Sequence, residues 1–190
     1  MVAAHSAAVF GTKDARVRKL LTDVKGGTST YGPWVDVPGA KSLTISGDIT
    51  TVVLRGDNGP QEQRSTLSAI NATLNYAYLS LDVLAVVTSA TIADLGTGAA
   101  ETSSLLVSEG IKFEPFELRA VSVDGGDIGG DIMFSLPKCV LSAFPEMGTA
   151  EEDFQNYSVG VGALPLKSNG RWLVPQVREA GRVDAEDPAA

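Results

Sequence analysis

Along most of the middle of the chain, apolar and polar residues alternate with period two, the spacing of strands with one covered face. Leu43 and Ile45 alternate with Ser42, Thr44 and Ser46, and Leu74, Tyr76 and Tyr78 with Thr73, Asn75 and Ala77. Phe116, Leu118 and Ala120 alternate with Glu117, Arg119 and Val121; Ile132, Phe134 and Leu136 form another set. The cleanest run sets Tyr157, Val159, Val161 and Ala163 against Asn156, Ser158, Gly160 and Gly162. Turn signals lie between these runs at Val37-Pro38-Gly39, Ser46-Gly47-Asp48, Asp57-Asn58-Gly59-Pro60 and Asp124-Gly125-Gly126-Asp127, where Gly and Asn tolerate the backbone that tight turns need. They predict one long hairpin over 49–70 around Asn58-Gly59, and another over 112–138 around the stretch Asp124 to Asp131.

One segment reads as a helix, Leu81 to Thr88. Ser80 stands at its N-cap, Asp82 complements the dipole, and Leu81, Leu84, Ala85 and Thr88 fall at helical spacing. Val83, Val86 and Val87 make it apolar nearly all round, so it needs cover on two sides; valine is also a poor helix former, which leaves a strand as the alternative. The ends differ from the middle: residues 1–14 lack alternation and residues 165–190 are rich in Pro, Gly, Arg and acids. The pattern therefore predicts a mainly β, antiparallel sandwich or barrel over 15–164 with one flanking helix, an N-terminal arm over 1–14 and a C-terminal arm over 165–190.

Composition allows such a core. A chain of 190 residues suits one domain, burying roughly 70% of the surface that its unfolded form exposes. No apolar run approaches the ~20 residues of a membrane helix, and the amino terminus lacks the charged and apolar regions of a secretory signal. A single cysteine, Cys139, excludes an internal disulfide and fits synthesis in a reducing cytoplasm. The net charge of −8 is concentrated: residues 101–153 hold eleven acids against Lys112, Arg119 and Lys138, which accounts for the whole excess. A surface built from that segment repels phosphate, so it suits DNA sliding past better than DNA held.

Catalytic chemistry finds few carriers. His5 is the sole histidine and falls in the expected arm, so a base beside a nucleophile is missing, and Cys139 reads as a small core residue. Glu114 and Glu117, separated by two residues, would fall on opposite faces of a strand, the wrong geometry for a carboxylate pair. The acids from Asp124 through Asp127 to Asp131 match no calcium-loop pattern and read as a glycine-permitted hairpin tip. Arg55-Gly56-Asp57 spells an adhesion tripeptide but sits where a hairpin turns. Asn71-Ala-Thr73 and Asn156-Tyr-Ser158 fit the glycosylation pattern inside expected strands, and Val159-Gly-Val-Gly162 lacks the lysine of a phosphate loop.

Three segments in order carry a resemblance: Tyr31-Gly-Pro-Trp-Val-Asp-Val-Pro-Gly-Ala-Lys-Ser-Leu-Thr-Ile-Ser46, then Val53-Leu-Arg-Gly-Asp-Asn58, then Leu79-Ser-Leu-Asp-Val-Leu-Ala-Val-Val-Thr88. Together they resemble the major tail, or tail tube, proteins of siphophages, and the likeness runs more loosely to about residue 166. The resemblance implies a tail-tube β-sandwich or barrel flanked by a helix, six copies per ring, and rings stacked helically into the conduit for genome delivery. It implies a virion tail component made in the host cytoplasm, with no catalytic residue, cofactor, metal or membrane partner. The other partners implied are the tape measure protein and genomic DNA passing through the lumen without specific binding, and tail tip and terminator proteins at the ends. Candidate lumen-facing acids are Glu114, Glu117, Asp124, Asp127 and Asp131; the candidate inter-subunit hairpin tip is Arg55, Asp57, Asn58 and Gly59. A head decoration or receptor-binding β-sandwich of a virion, and the tube protein of a contractile secretion system, are the competing readings.

Overall fold

The computed structural model describes residues 9–56, 59–97, 101–124, 131–147 and 156–177. Their strands, all paired antiparallel, are β1 (Val9–Thr22), β2 (Thr30–Tyr31), β3 (Val35–Asp36), β4 (Ala40–Gly56), β5 (Gly59–Tyr76), β6 (Thr91–Leu95), β7 (Thr102–Leu106), β8 (Phe116–Asp124), β9 (Ile132–Leu141), β10 (Tyr157–Ala163) and β11 (Val174–Val177). One helix, α1 (Leu81–Thr88), lies between β5 and β6. Nine strands form one sheet with the path β2-β1-β8-β9-β10-β5-β4, to which β3 adds on β1 and β11 on β9; β6 and β7 form a separate two-stranded sheet. The large sheet curls until the start of β4 comes back to β1, around a depression lined by Gly11, Thr12, Lys41, Ser42, Leu43 and Ser122.

The period-two runs bury one face. Ala15 and Val17, Phe116, Leu118 and Ala120, Leu136, Val159 and Val161, and Ala72, Leu74 and Tyr76 form a single core that α1 completes with Val83, Val86 and Val87. The helix has the predicted boundaries: the Ser80 hydroxyl accepts from the Val83 N–H at 3.4 Å, and Ser89 closes it in the left-handed conformation. Packing against β1, β3, β6, β7 and β9 supplies the cover that so apolar a helix needs and outweighs the weak propensity of its valines.

Three expectations are revised. Ser46-Gly47-Asp48 is no turn but lies within β4, where Gly47 pairs with Ile70 and Asp48 with Ala69. The ladder shifts just after them by one residue, where Ser68 of β5 is the extra residue of a bulge and its Oγ donates to the Asp48 carbonyl at 3.0 Å. The first hairpin is consequently longer than predicted, from Ala40 to Tyr76. At the ends, β1 begins at Val9, inside the stretch read as an arm over 1–14, and pairs with β8 from there; β11 lies inside 165–190 and pairs Val174 to Val177 with Ser135 to Ile132.

Candidate assembly surface

The hairpin of β4 and β5 has two unlike halves. In the proximal half, Ile70 to Tyr76 pair on the far side with Ala163 to Tyr157 of β10. In the distal half, from Asp48 and Leu67 outward, β4 and β5 pair with each other, and no further strand pairs with either among the described residues. The register puts Ile49, Thr51 and Val53 on one face with Leu67, and Thr50, Val52 and Leu54 on the other with Arg64 and Glu62. Ile49 and Val52 are each 66% exposed, Leu54 59% and Leu67 49%. Val52, Leu54, Glu62 and Arg64 line a groove of about 350 Å³. A two-stranded ribbon is marginal in water by itself, and aliphatics on both of its faces mark a surface meant to be covered.

A second bare ribbon is the sheet of β6 and β7, which packs on α1. Leu95 pairs with Thr102 and Leu106 with Thr91, which places both leucines on one face; Leu95 is 64% and Leu106 53% exposed. Ile92 and Leu105 pair on the other face and are half-buried.

The acids expected to face a lumen do not form one group. Glu114 is exposed, and its N–H donates to the Ser89 hydroxyl at 2.8 Å. Glu117 is instead among the most buried side chains, 2% exposed. It stands opposite Arg18 in the ladder of β1 and β8, on the face of the sheet away from Phe116 and Leu118. Arg18 Nε donates to one carboxylate oxygen at 2.7 Å; Arg119 Nε donates to the other at 2.7 Å, and Ser135 Oγ to that same oxygen at 3.0 Å. The Arg18 guanidinium lies between the rings of Tyr31 and Trp34, 4.1 and 4.0 Å from their centroids. Burial first, and then the Glu117 charge, push the Tyr31 hydroxyl up to about 12. The polar positions of β1 and β8 are thus a second, charged interior layer roofed by the loop through Tyr31 and Trp34. Asp131 is also buried, 3.9 Å from Lys13. The side chains of Asp124 and Asp127, and with them the calcium question at that loop, lie outside the described residues.

The hairpin tip is only partly placed. Backbone pairing of Arg55 with Pro60 and Gly56 with Gly59 closes the hairpin, whereas Asp57 and Asn58 and the side chain of Arg55 lie outside the described residues, as does His5. Cys139 is fully buried, donates its S–H toward the Leu136 carbonyl at 3.6 Å, and has its thiol pushed up by burial, the opposite of an activated nucleophile. Among the described residues no group of three or more His, Cys, Asp or Glu is placed to hold a metal ion, and no helix is long and apolar enough to cross a membrane.

One node was not foreseen. Asp23, in the turn after β1, receives Lys138 Nζ at 2.7 Å and the N–H groups of Lys167 and Ser168 at 2.9 and 3.3 Å. Burial alone would raise its carboxyl; the Lys138 bond, the backbone bonds and the Lys138 charge outweigh it and hold the group below its ordinary value. The node fastens the segment that leads to β11, where Trp172 and Leu173 pack on the core. Only Ser29, whose hydroxyl also donates to Asp23 at 3.4 Å, is local; the three closer donors come from positions more than 100 residues away, so the residue types around Asp23 do not announce the node.

No family model matches this sequence, and no curated protein matches it. Among solved structures, the anti-feeding prophage cap, described as a tube terminating cap, is similar over 93% of this chain and 98% of that one, with 10% identity and a TM-score of 0.43. A likeness of that size carries no argument about what this chain does.

Proposed function

We propose that this chain is a structural subunit of a phage-type tail that works by polymerising, six copies to a ring and rings stacked into a tube, with no active site. The observation that carries the reading is the distal ribbon, in which residues 46–54 and 62–68 are exposed without interruption although both faces carry aliphatic side chains. A chain acting as a monomer gains nothing from such an element and risks aggregation through its edges, whereas a polymer covers it. The ordered resemblance of residues 31–88 to siphophage tail tube proteins supports the same reading and names the other partners: the tape measure protein and DNA inside, tail tip and terminator proteins at the ends. Exposed Glu114 and the acids from Asp124 to Asp131, apart from buried Asp131 itself, are the residues we assign to a negatively charged bore that DNA passes without sticking.

Negative-stain electron microscopy of the purified protein over a range of concentrations, with light scattering for mass, tests this. Hollow sixfold rings or tubes are expected. A monomer that persists even when tail-initiating proteins are added would overturn the reading and favour a decoration or receptor-binding module.

A further inference from the structure

The chain from β10 to β11 is one strand interrupted by a loop. Ala163 of β10 pairs with Cys139 of β9, and in unbroken register Lys167 would stand opposite Ser135; Val174 stands there instead, so seven residues are looped out before β11 resumes along the same edge of β9. We propose that residues 164–177 form a strap that opens as one piece while the rest of the body stays folded, and that the β1–β2 turn, through Asp23, is its lock. The proposal does not depend on the tube reading. The loop is bonded within itself: the Leu166 N–H donates to the Arg171 carbonyl at 3.0 Å, and the Gly170 N–H to the Leu166 carbonyl at 2.7 Å. Its ties to the body converge on the turn, where Asp23 accepts from the N–H groups of Lys167 and Ser168, and Ser29 Oγ meets Ser168 Oγ at 3.1 Å. Beyond the loop, β11 is four residues long, and one of them, Pro175, has no N–H to give.

The strap also lies loosely on the sheet. A cavity of about 170 Å³ remains between Asn169, Arg171 and Gln176 of the strap and Glu117, Arg119 and Ser135 beneath it. The buried Gln176 Oε1 has no hydrogen-bond partner among the described residues. Few bonds and unfilled space mark an element of low local stability. Packing holds it shut, through buried Leu166 and through Trp172 and Leu173 on the core. These anchors flank a loop whose ends are bonded to each other, so they leave together. Opening bares the β9 edge from Ile132 to Ser135 and the charged layer of Glu117 and Arg119, and the closed strap is the chain's own cover for both.

Amide hydrogen exchange of the unassembled full chain, followed by mass spectrometry, tests this. Peptides from 164–177 should share one rate, faster than those of β8 and β10, and that rate should respond weakly to low urea where theirs rises steeply. Asp23→Asn should speed the strap roughly ten- to hundredfold, the range that a weakened charged hydrogen bond implies. Leu74→Ala should speed β8 and β10 by roughly thirtyfold or more and leave the strap unchanged, since Leu74 stays packed when the strap opens. A strap that follows β8 and β10, in urea or in Leu74→Ala, opens only with the whole body, and the proposal falls. It falls equally if Asp23→Asn leaves the strap rate where it was, or if the loop and β11 exchange at separate rates. The tube reading survives any of these results.

Discussion

The two halves of the β4–β5 hairpin share a backbone and differ in everything around it. In the proximal half Leu74 and Tyr76 are buried, Leu43 and Ile45 pack against the same core, and polar residues alternate with them. In the distal half the alternation fails: Val52, Val53 and Leu54 are consecutive, and apolar groups stand on both faces in solvent. A strand pair in a monomer needs one apolar face, so the loss of period two along a continuous strand marks where the chain stops packing on itself. The body shows the reverse mismatch. On β1 and β8 the pattern presents Arg18, Glu117 and Arg119 as a solvent face, yet that face is covered and its charges are paired inside.

If the body folds alone and the ribbon waits for cover, substitutions should separate them sharply. Glu117→Gln should have the largest effect, about 3–5 kcal/mol, because it removes the charge that two inward-facing arginines share; urea denaturation reads it, and a loss under 1 kcal/mol would show that the roof over this layer opens readily. Leu74→Ala should cost roughly 2–5 kcal/mol in the same assay. Its distal counterpart Leu54→Ala should stay within about 0.5 kcal/mol for the monomer, and equal losses at the two sites would erase the distinction between the halves.

Asp23→Asn should cost about 1–3 kcal/mol at neutral pH, by weakening bonds that a carboxylate makes best. The sign of its pH dependence follows from a depressed folded-state value: the stabilisation is complete above the ordinary carboxylate value of 3.8 and is lost as pH falls through the folded value. The gap in melting temperature between parent and variant should therefore narrow on acidification; a gap independent of pH would assign the role of Asp23 to shape rather than charge. Removing residues 51–65 and closing the shortened hairpin with Asn-Gly should also leave folding almost untouched. Monomer stability should change by no more than about 1 kcal/mol, read by thermal melting, while tubes disappear.

Residue order alone determined the strands of one-sided burial, the helix with its Ser80 cap, the turn at Val37-Pro38-Gly39 and both long hairpins, because each depends on local periodicity or on turn chemistry. It also fixes Cys139 as the sole thiol and His5 as the sole imidazole, since that is a matter of residue inventory. Tertiary structure alone decided that Gly47-Asp48 runs on as strand, because pairing with Ile70 and Ala69 of β5 overrides a local turn preference. Only tertiary structure, likewise, made Glu117 an interior acid and Asp23 a clasp. Arg119 and Ser29 reach these acids from nearby in the chain, but Arg18 and Ser135 for one and Lys138, Lys167 and Ser168 for the other do not, and no local pattern encodes a contact between residues that only the sheet order brings together.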